Sequence, residues 1–176
     1  MSLAIVYTRA ALGIEAPLIT VEVHLSNGLP GLTMVGLPET TVKEARDRVR
    51  SALINSGYAF PAKKITINLA PADLPKEGGR YDLPIALALL VASEQLNTTR
   101  LNHYEFVGEL ALTGGLRGVP GAIPSAMEAI KAGRRIVVSA DNAAEVGLIG
   151  GSDCLVADHL QEVCAFLAGQ TSLSPP

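Results

Sequence analysis

The sequence predicts an α/β domain, and three observations carry that prediction. Residues 64–69 alternate Ile65, Ile67 and Leu69 with Thr66 and Asn68, the period of two expected of a half-buried strand. Residues 85–92 are apolar on every side, the mark of a helix buried all round, and the run is too short to span a bilayer. Beyond it, helical and strand patterns alternate to the end of the chain.

The chain has 176 residues, which suits one domain with at most a short appendage. Hydrophobic residues make up 48% of it and aromatic ones 4%, so aliphatic side chains must fill the core. The formal charge of −3 argues against strong autonomous binding to nucleic acid, which favours basic domains, but leaves room for local basic patches. Arg9 and Glu15 interrupt any apolar leader, and the expectation is a cytoplasmic protein with no membrane partner. Cys154 and Cys164 fall on a predicted strand and helix and read as reduced core thiols.

Taken in order, residues 3–7 and 19–25 read as strands. Ile19, Val21, Val23 and Leu25 alternate with polar residues, so one face is wet. Asn27-Gly28 is a hairpin signal that predicts residues 32–35 as the returning strand of an antiparallel meander. Thr41 followed by Glu44 resembles a capping box, and Val42, Ala45, Val49, Ala52 and Leu53 recur at helical spacing up to Gly57. Lys43, Arg46 and Arg50 form a stripe on this helix, either a phosphate-backbone contact or a solvated face neutralised by Glu44 and Asp47.

After strand 64–69, Pro71 and Pro75 force an extended path, Gly78-Gly79 permits a turn, and Asp82 with Pro84 marks a helix start. A charged loop, Lys76-Glu77-Gly78-Gly79-Arg80, is thereby expected above the buried helix, which contains Ser93. Residues 106–112 and 116–119 suggest a hairpin around Thr113-Gly114-Gly115. Ser125 caps a helix ending at Gly133, residues 136–138 form a strand, and Asp141 opens a short helix through Val146. Residues 155–156 form another strand, and Asp158 caps a last helix ending at Gly169. The domain is drawn as 1–169, with 170–176 a linker.

Several chemistries lack their motifs. No phosphate-loop motif occurs, and no G-x-G-x-x-G follows a strand. A phosphate at the Gly78-Gly79-Arg80 turn would meet the charge of Asp82. His24, His103 and His159 lack metal-ligand spacing. No serine sits beside an obvious base, so no catalytic, cofactor or metal residue is assigned.

The segments VGLPETTVKEARDRVRSAL (35–53), NLAPADLPKEGGRYDLPIALALL (68–90) and VGELALTGGLRGVPGA (107–122) resemble the N-terminal domain of the Mg-chelatase-like ComM/YifB proteins of bacteria. The chain is also similar, more distantly, to the proteolytic domain of Lon proteases and to domain 2 of ribosomal protein S5. These resemblances imply an S5-domain-2-like, Lon-protease-domain-like fold, a mixed sheet flanked by helices. In Lon-type proteases a serine opens the buried helix and a lysine follows the G-E-x-x-L-x-G hairpin. Here Asp82 stands at the serine position and the lysine position falls near Pro124, which implies a protease-like scaffold without peptidase activity. The ComM/YifB resemblance implies an accessory domain of a AAA+ motor. ATP and Mg would belong to a C-terminal AAA+ module of the same protein, with no cofactor in this fragment. A homo-hexameric ring acting on DNA in branch migration and natural transformation is the implied assembly. Lys43, Arg46, Arg50, Lys76, Glu77, Arg80 and Asp82 are the expected contacts to DNA, weak for the domain alone, or to a neighbouring subunit. A Lon-like hydrolase is the alternative, and a chelatase-type adaptor finds no ligand cluster.

Overall fold

A seven-stranded mixed sheet runs through the molecule in the order β3-β4-β2-β1-β5-β8-β9. The computed structural model describes residues 2–76, 78–149 and 153–176. The strands are β1 (Leu3–Arg9), β2 (Leu18–Ser26), β3 (Gly31–Val35), β4 (Lys64–Ala70), β5 (Tyr104–Phe106), β6 (Glu109–Leu110), β7 (Leu116–Arg117), β8 (Arg135–Ser139) and β9 (Cys154–Ala157). The helices are α1 (Glu39–Asn55), α2 (Asp82–Ala92), α3 (Ala122–Lys131), the single turn α4 (Ala143–Val146) and α5 (Leu160–Leu167). β2 is antiparallel to both β1 and β4, whereas β3–β4, β1–β5, β5–β8 and β8–β9 are parallel. The mixed α/β architecture flanked by helices is thus the one expected.

The core follows from register. Val6 faces Val21 and Val23 faces Ile67 across adjacent strands, and all four are fully buried. α2 packs over β1 and β2 and against α1. Its residues from Asp82 to Leu90 are all buried, as an apolar surface without a wet stripe requires. Along β8, Val137 joins this main core while Ile136 and Val138 point into a second cluster with Ala122, Ala126 and Ala129 of α3. The sheet is therefore covered on both faces there, whereas Leu3 and Ile5 of β1 stay 45% and 42% exposed.

Local signals were overridden at several points. β3 is not a returning hairpin strand: it lies parallel to β4, with Gly31 opposite Lys64. Both edges of β2 are taken by β1 and β4, so Asn27-Gly28 has no free edge to fold back on. α1 begins at Glu39 after Pro38 without a side-chain cap, so Thr41 closes no capping box. α3 begins after Gly121, whose φ of +76° suits glycine, and Ser125 lies buried inside the helix. The expected 106–112 strand divides: β5 enters the main sheet, and β6 pairs with β7 across the Thr113-Gly114-Gly115 turn. Ser139 caps the turn that Asp141 was expected to open, and Asp141 accepts from the Gly118 N–H instead. His159, not Asp158, caps α5 through Nδ1. Ser93 is the C-cap of α2, its hydroxyl donating to the Leu89 carbonyl. The final residues are laid against the sheet rather than left as a linker: the Val156 N–H donates to the Ser174 carbonyl, and Leu173 packs on the core. Cys154 and Cys164 are free, buried thiols on β9 and α5, as expected.

Candidate functional site

Asp82 opens α2 and is fully buried. It caps nothing: its carboxylate receives Arg48 Nε at 2.6 Å on Oδ2 and Arg48 Nη2 at 3.2 Å on Oδ1. The Leu110 N–H of the β6–β7 hairpin donates to Oδ2 at 3.1 Å. One carboxylate therefore ties α1, α2 and the hairpin together. Burial pushes its pKa up from 3.8 to about 6, against the opposing pull of Arg48 and the Leu110 N–H and with a further push from the Glu109 charge. Arg48 keeps 21% of its side chain exposed, and its hydrogen bond to Asp82 outweighs its own burial and raises its pKa.

Arg48 was not among the expected site residues, yet the helix period could have found it. It lies three positions after Ala45 and four before Ala52, on the buried stripe of α1. A cation on an apolar stripe needs a buried anion to meet. Its guanidinium is no substitute for a catalytic lysine, because it holds its proton at any ordinary pH and cannot act as a base.

The charged loop does not present its cations to solvent. The Lys76 ammonium donates to the Pro71 and Leu74 carbonyls at 2.6 and 3.2 Å, and burial lowers its pKa. Arg80 is 4% exposed and braces three segments: Nε donates to the Arg9 carbonyl, Nη1 to that of Pro120 and Nη2 to Ser125 Oγ. Neither fits the expected role of an exposed contact, and Asp82 pairs with Arg48 rather than with Arg80. Glu77 lies outside the described residues.

Three of the expected contact residues lie on α1. Lys43, Arg46 and Arg50 are all exposed. Arg46 Nε lies 3.7 Å from Asp47 in an open pair, and the Arg50 guanidinium sits 5.4 Å over the Phe60 ring. The helix thus divides its cations: Arg48 inward to seal the mouth of α2, the other three outward.

Two other clusters resolve as structural. Glu105 on β5 is fully buried and bidentate with Arg9 at 2.7 and 2.9 Å, with Arg134 at 3.0 Å. Ser56 and His159 both crowd Gly114, where an added Cβ would strike them. His159 Nδ1 accepts from the Gln161 N–H, so Nε2 carries the proton and faces the Thr113 carbonyl at 3.0 Å. That tautomer cannot take a proton from Ser56. Among the described residues no group of three His, Cys, Asp or Glu side chains is placed to hold a metal ion, and no described helix is long and apolar enough to cross a membrane.

The fold so described is a mixed sheet with a buried helix sealed at its mouth by a carboxylate–guanidinium pair. Residues 21–142 match the model of subunit ChlI of Mg-chelatase, and the chain belongs to that family. It is 77% identical over its whole length to an uncharacterized protein of Escherichia coli, YifB, and covers 35% of that relative. It is 59% identical over 98% of its length to the competence protein ComM of Haemophilus influenzae, covering 34% of it. An uncharacterized protein of Mycobacterium tuberculosis is 37% identical over 99% of the chain. The chain thus spans about a third of the length of the curated relatives it matches.

Proposed function

We propose that this chain is the non-catalytic N-terminal accessory domain of a Mg-chelatase-like AAA+ ATPase, and that it contacts DNA through the outer face of α1. The observation that carries the reading is the division of α1: Arg48 is consumed inside, whereas Lys43, Arg46 and Arg50 face solvent on one helix. Such a stripe meets phosphates one by one and releases their counterions. The name of the Haemophilus relative, a competence protein, fits DNA as the substrate of the larger assembly. On this reading ATP and Mg belong to a following AAA+ module, which assembles as a hexamer in the cytoplasm and drives branch migration. The non-catalytic part of the reading is supported by Asp82, which offers no hydroxyl and faces a cation that cannot be a base.

Fluorescence anisotropy on single-stranded, duplex and branched DNA tests the contact. Binding is expected to be weak and to fall steeply as salt rises, with a slope set by a few phosphates. Arg46→Glu with Arg50→Glu should abolish it. Unchanged binding by that double variant refutes the α1 contact. For the second half of the reading, mass spectrometry after treatment with a serine-directed probe should find no adduct. A stoichiometric adduct would restore the hydrolase.

A further inference from the structure

Behind the Gly78-Gly79 turn a cleft of about 510 Å³ opens between residues 11–13, the loop leading into α2, and residues 118–120. That volume lies in the range that takes a small molecule. Among the described residues two charged ones line it, Arg80 and Glu109, and the rest of that lining is glycine, proline and apolar side chains.

The two charges are in an unusual state. Arg9, Arg48 and Arg134 each have a carboxylate within 3.0 Å. Arg80 is as buried as Arg9, yet among the described residues its partners are two carbonyls and a hydroxyl, with no carboxylate in reach. Three of its five N–H groups are used, which leaves two. A buried guanidinium without an anion is costly to hold, and that burial lowers its pKa. Glu109 is half-buried, and no hydrogen bond from the described residues reaches its carboxylate. It feels Arg48 and Asp82 through space but does not pair with Arg80.

Glycine at position 79 makes room for one of the two groups. A Cβ at Gly79 would overlap the Glu109 carboxylate, so glycine there lets the acid lie against the loop. A doubly charged phosphate on Arg80 would be repelled by Glu109, and a simple cation on Glu109 would be repelled by Arg80. A ligand carrying both signs satisfies both walls.

We propose that this cleft binds a small zwitterion of the α-amino acid class, its carboxylate on the two remaining N–H groups of Arg80 and its ammonium on Glu109. This is independent of the DNA contact, since it uses no residue of the outer α1 stripe.

The test is a titration of the isotopically labelled chain by NMR with L-alanine and L-leucine, and with acetate, methylammonium and inorganic phosphate as single-sign probes. The amino acids should give saturable shifts at the amides of Gly78, Gly79, Gly118 and Gly121, with affinity in the millimolar range. Each single-sign probe should bind at least about tenfold more weakly. Glu109→Gln should weaken the amino acids about tenfold and leave acetate unchanged or tighter. Arg80→Lys keeps the charge but loses the fork, and should lose the carboxylate end. If that variant does not fold, Glu109→Gln decides alone, because among the described residues no hydrogen bond or ion pair holds the Glu109 carboxylate. The proposal is overturned if amino acids give no saturable shift at the cleft, if acetate or phosphate binds as tightly as the zwitterion, or if Glu109→Gln changes nothing.

Discussion

Replacing Asp82 by asparagine should change how stability depends on pH, and in a direction opposite to that of most carboxylates. Burial raises the Asp82 pKa from 3.8 to about 6 in the folded chain. The folded state then binds this proton more tightly than the unfolded state does. Its contribution to stability is fully present below about pH 4 and is lost as pH rises through about 6. A shift of about 2 units corresponds to about 3 kcal/mol. Asparagine keeps an oxygen to accept the Leu110 N–H and one Arg48 N–H, but carries no charge to bury. Stability measured by urea unfolding across this range should therefore fall in the wild type relative to Asp82→Asn, by up to about 3 kcal/mol between about pH 4 and pH 7. Subtracting the two curves removes the contribution of every other acid. Arg48→Met should carry the wild-type fall to higher pH, because the hydrogen bond and the charge of Arg48 both hold Asp82 down. A difference that is flat with pH, or that favours the wild type as pH rises, would refute the reasoning. It would mean that the guanidinium repays more than burial costs.

Other expectations follow from packing and from the second charge cluster. Leu87→Ala, at a fully buried position of α2, should cost 2 to 5 kcal/mol, about what a core cavity costs, in the same unfolding assay. Gly36→Ala should cost about 2 kcal/mol or more, because φ is +98° and the new Cβ would strike the Leu69 carbonyl. Glu105→Ala leaves Arg9 buried without its anion and should cost about 3 to 5 kcal/mol, whereas Glu105→Gln, which keeps an acceptor, should cost less. Equal losses for the two would show that packing rather than charge holds that cluster.

Much of the fold was legible because period and burial agree. The alternation along residues 64–69 and the all-apolar run after Asp82 each admit one environment, and β4 and α2 occupy it. Helix starts were misplaced because Thr41, Ser125 and Asp158 look like caps one at a time. The chain began those helices instead at Pro38, Gly121 and His159, where the path of the preceding loop decided. The site was legible in residue type but not in pairing. Asp82 was singled out, while its partner Arg48 passed unnoticed among four cations on one helix. Lys76 and Arg80 read as solvent contacts because a charged loop usually is one; here the carbonyls of Pro71, Leu74, Arg9 and Pro120 draw them in.

The sequence by itself determined which segments are strands and helices, that one helix must be surrounded by core, and that an acid stands at its mouth. Those properties are local: each depends on spacing and side-chain type over a few residues. The tertiary structure alone decided that β3 joins β4 rather than β2, that Arg48 turns inward while Lys43, Arg46 and Arg50 turn outward, and that Arg80 is buried against two carbonyls and a hydroxyl. Each of these is a contact between residues far apart in the chain, settled by which edges and which charges remained free once the rest had packed.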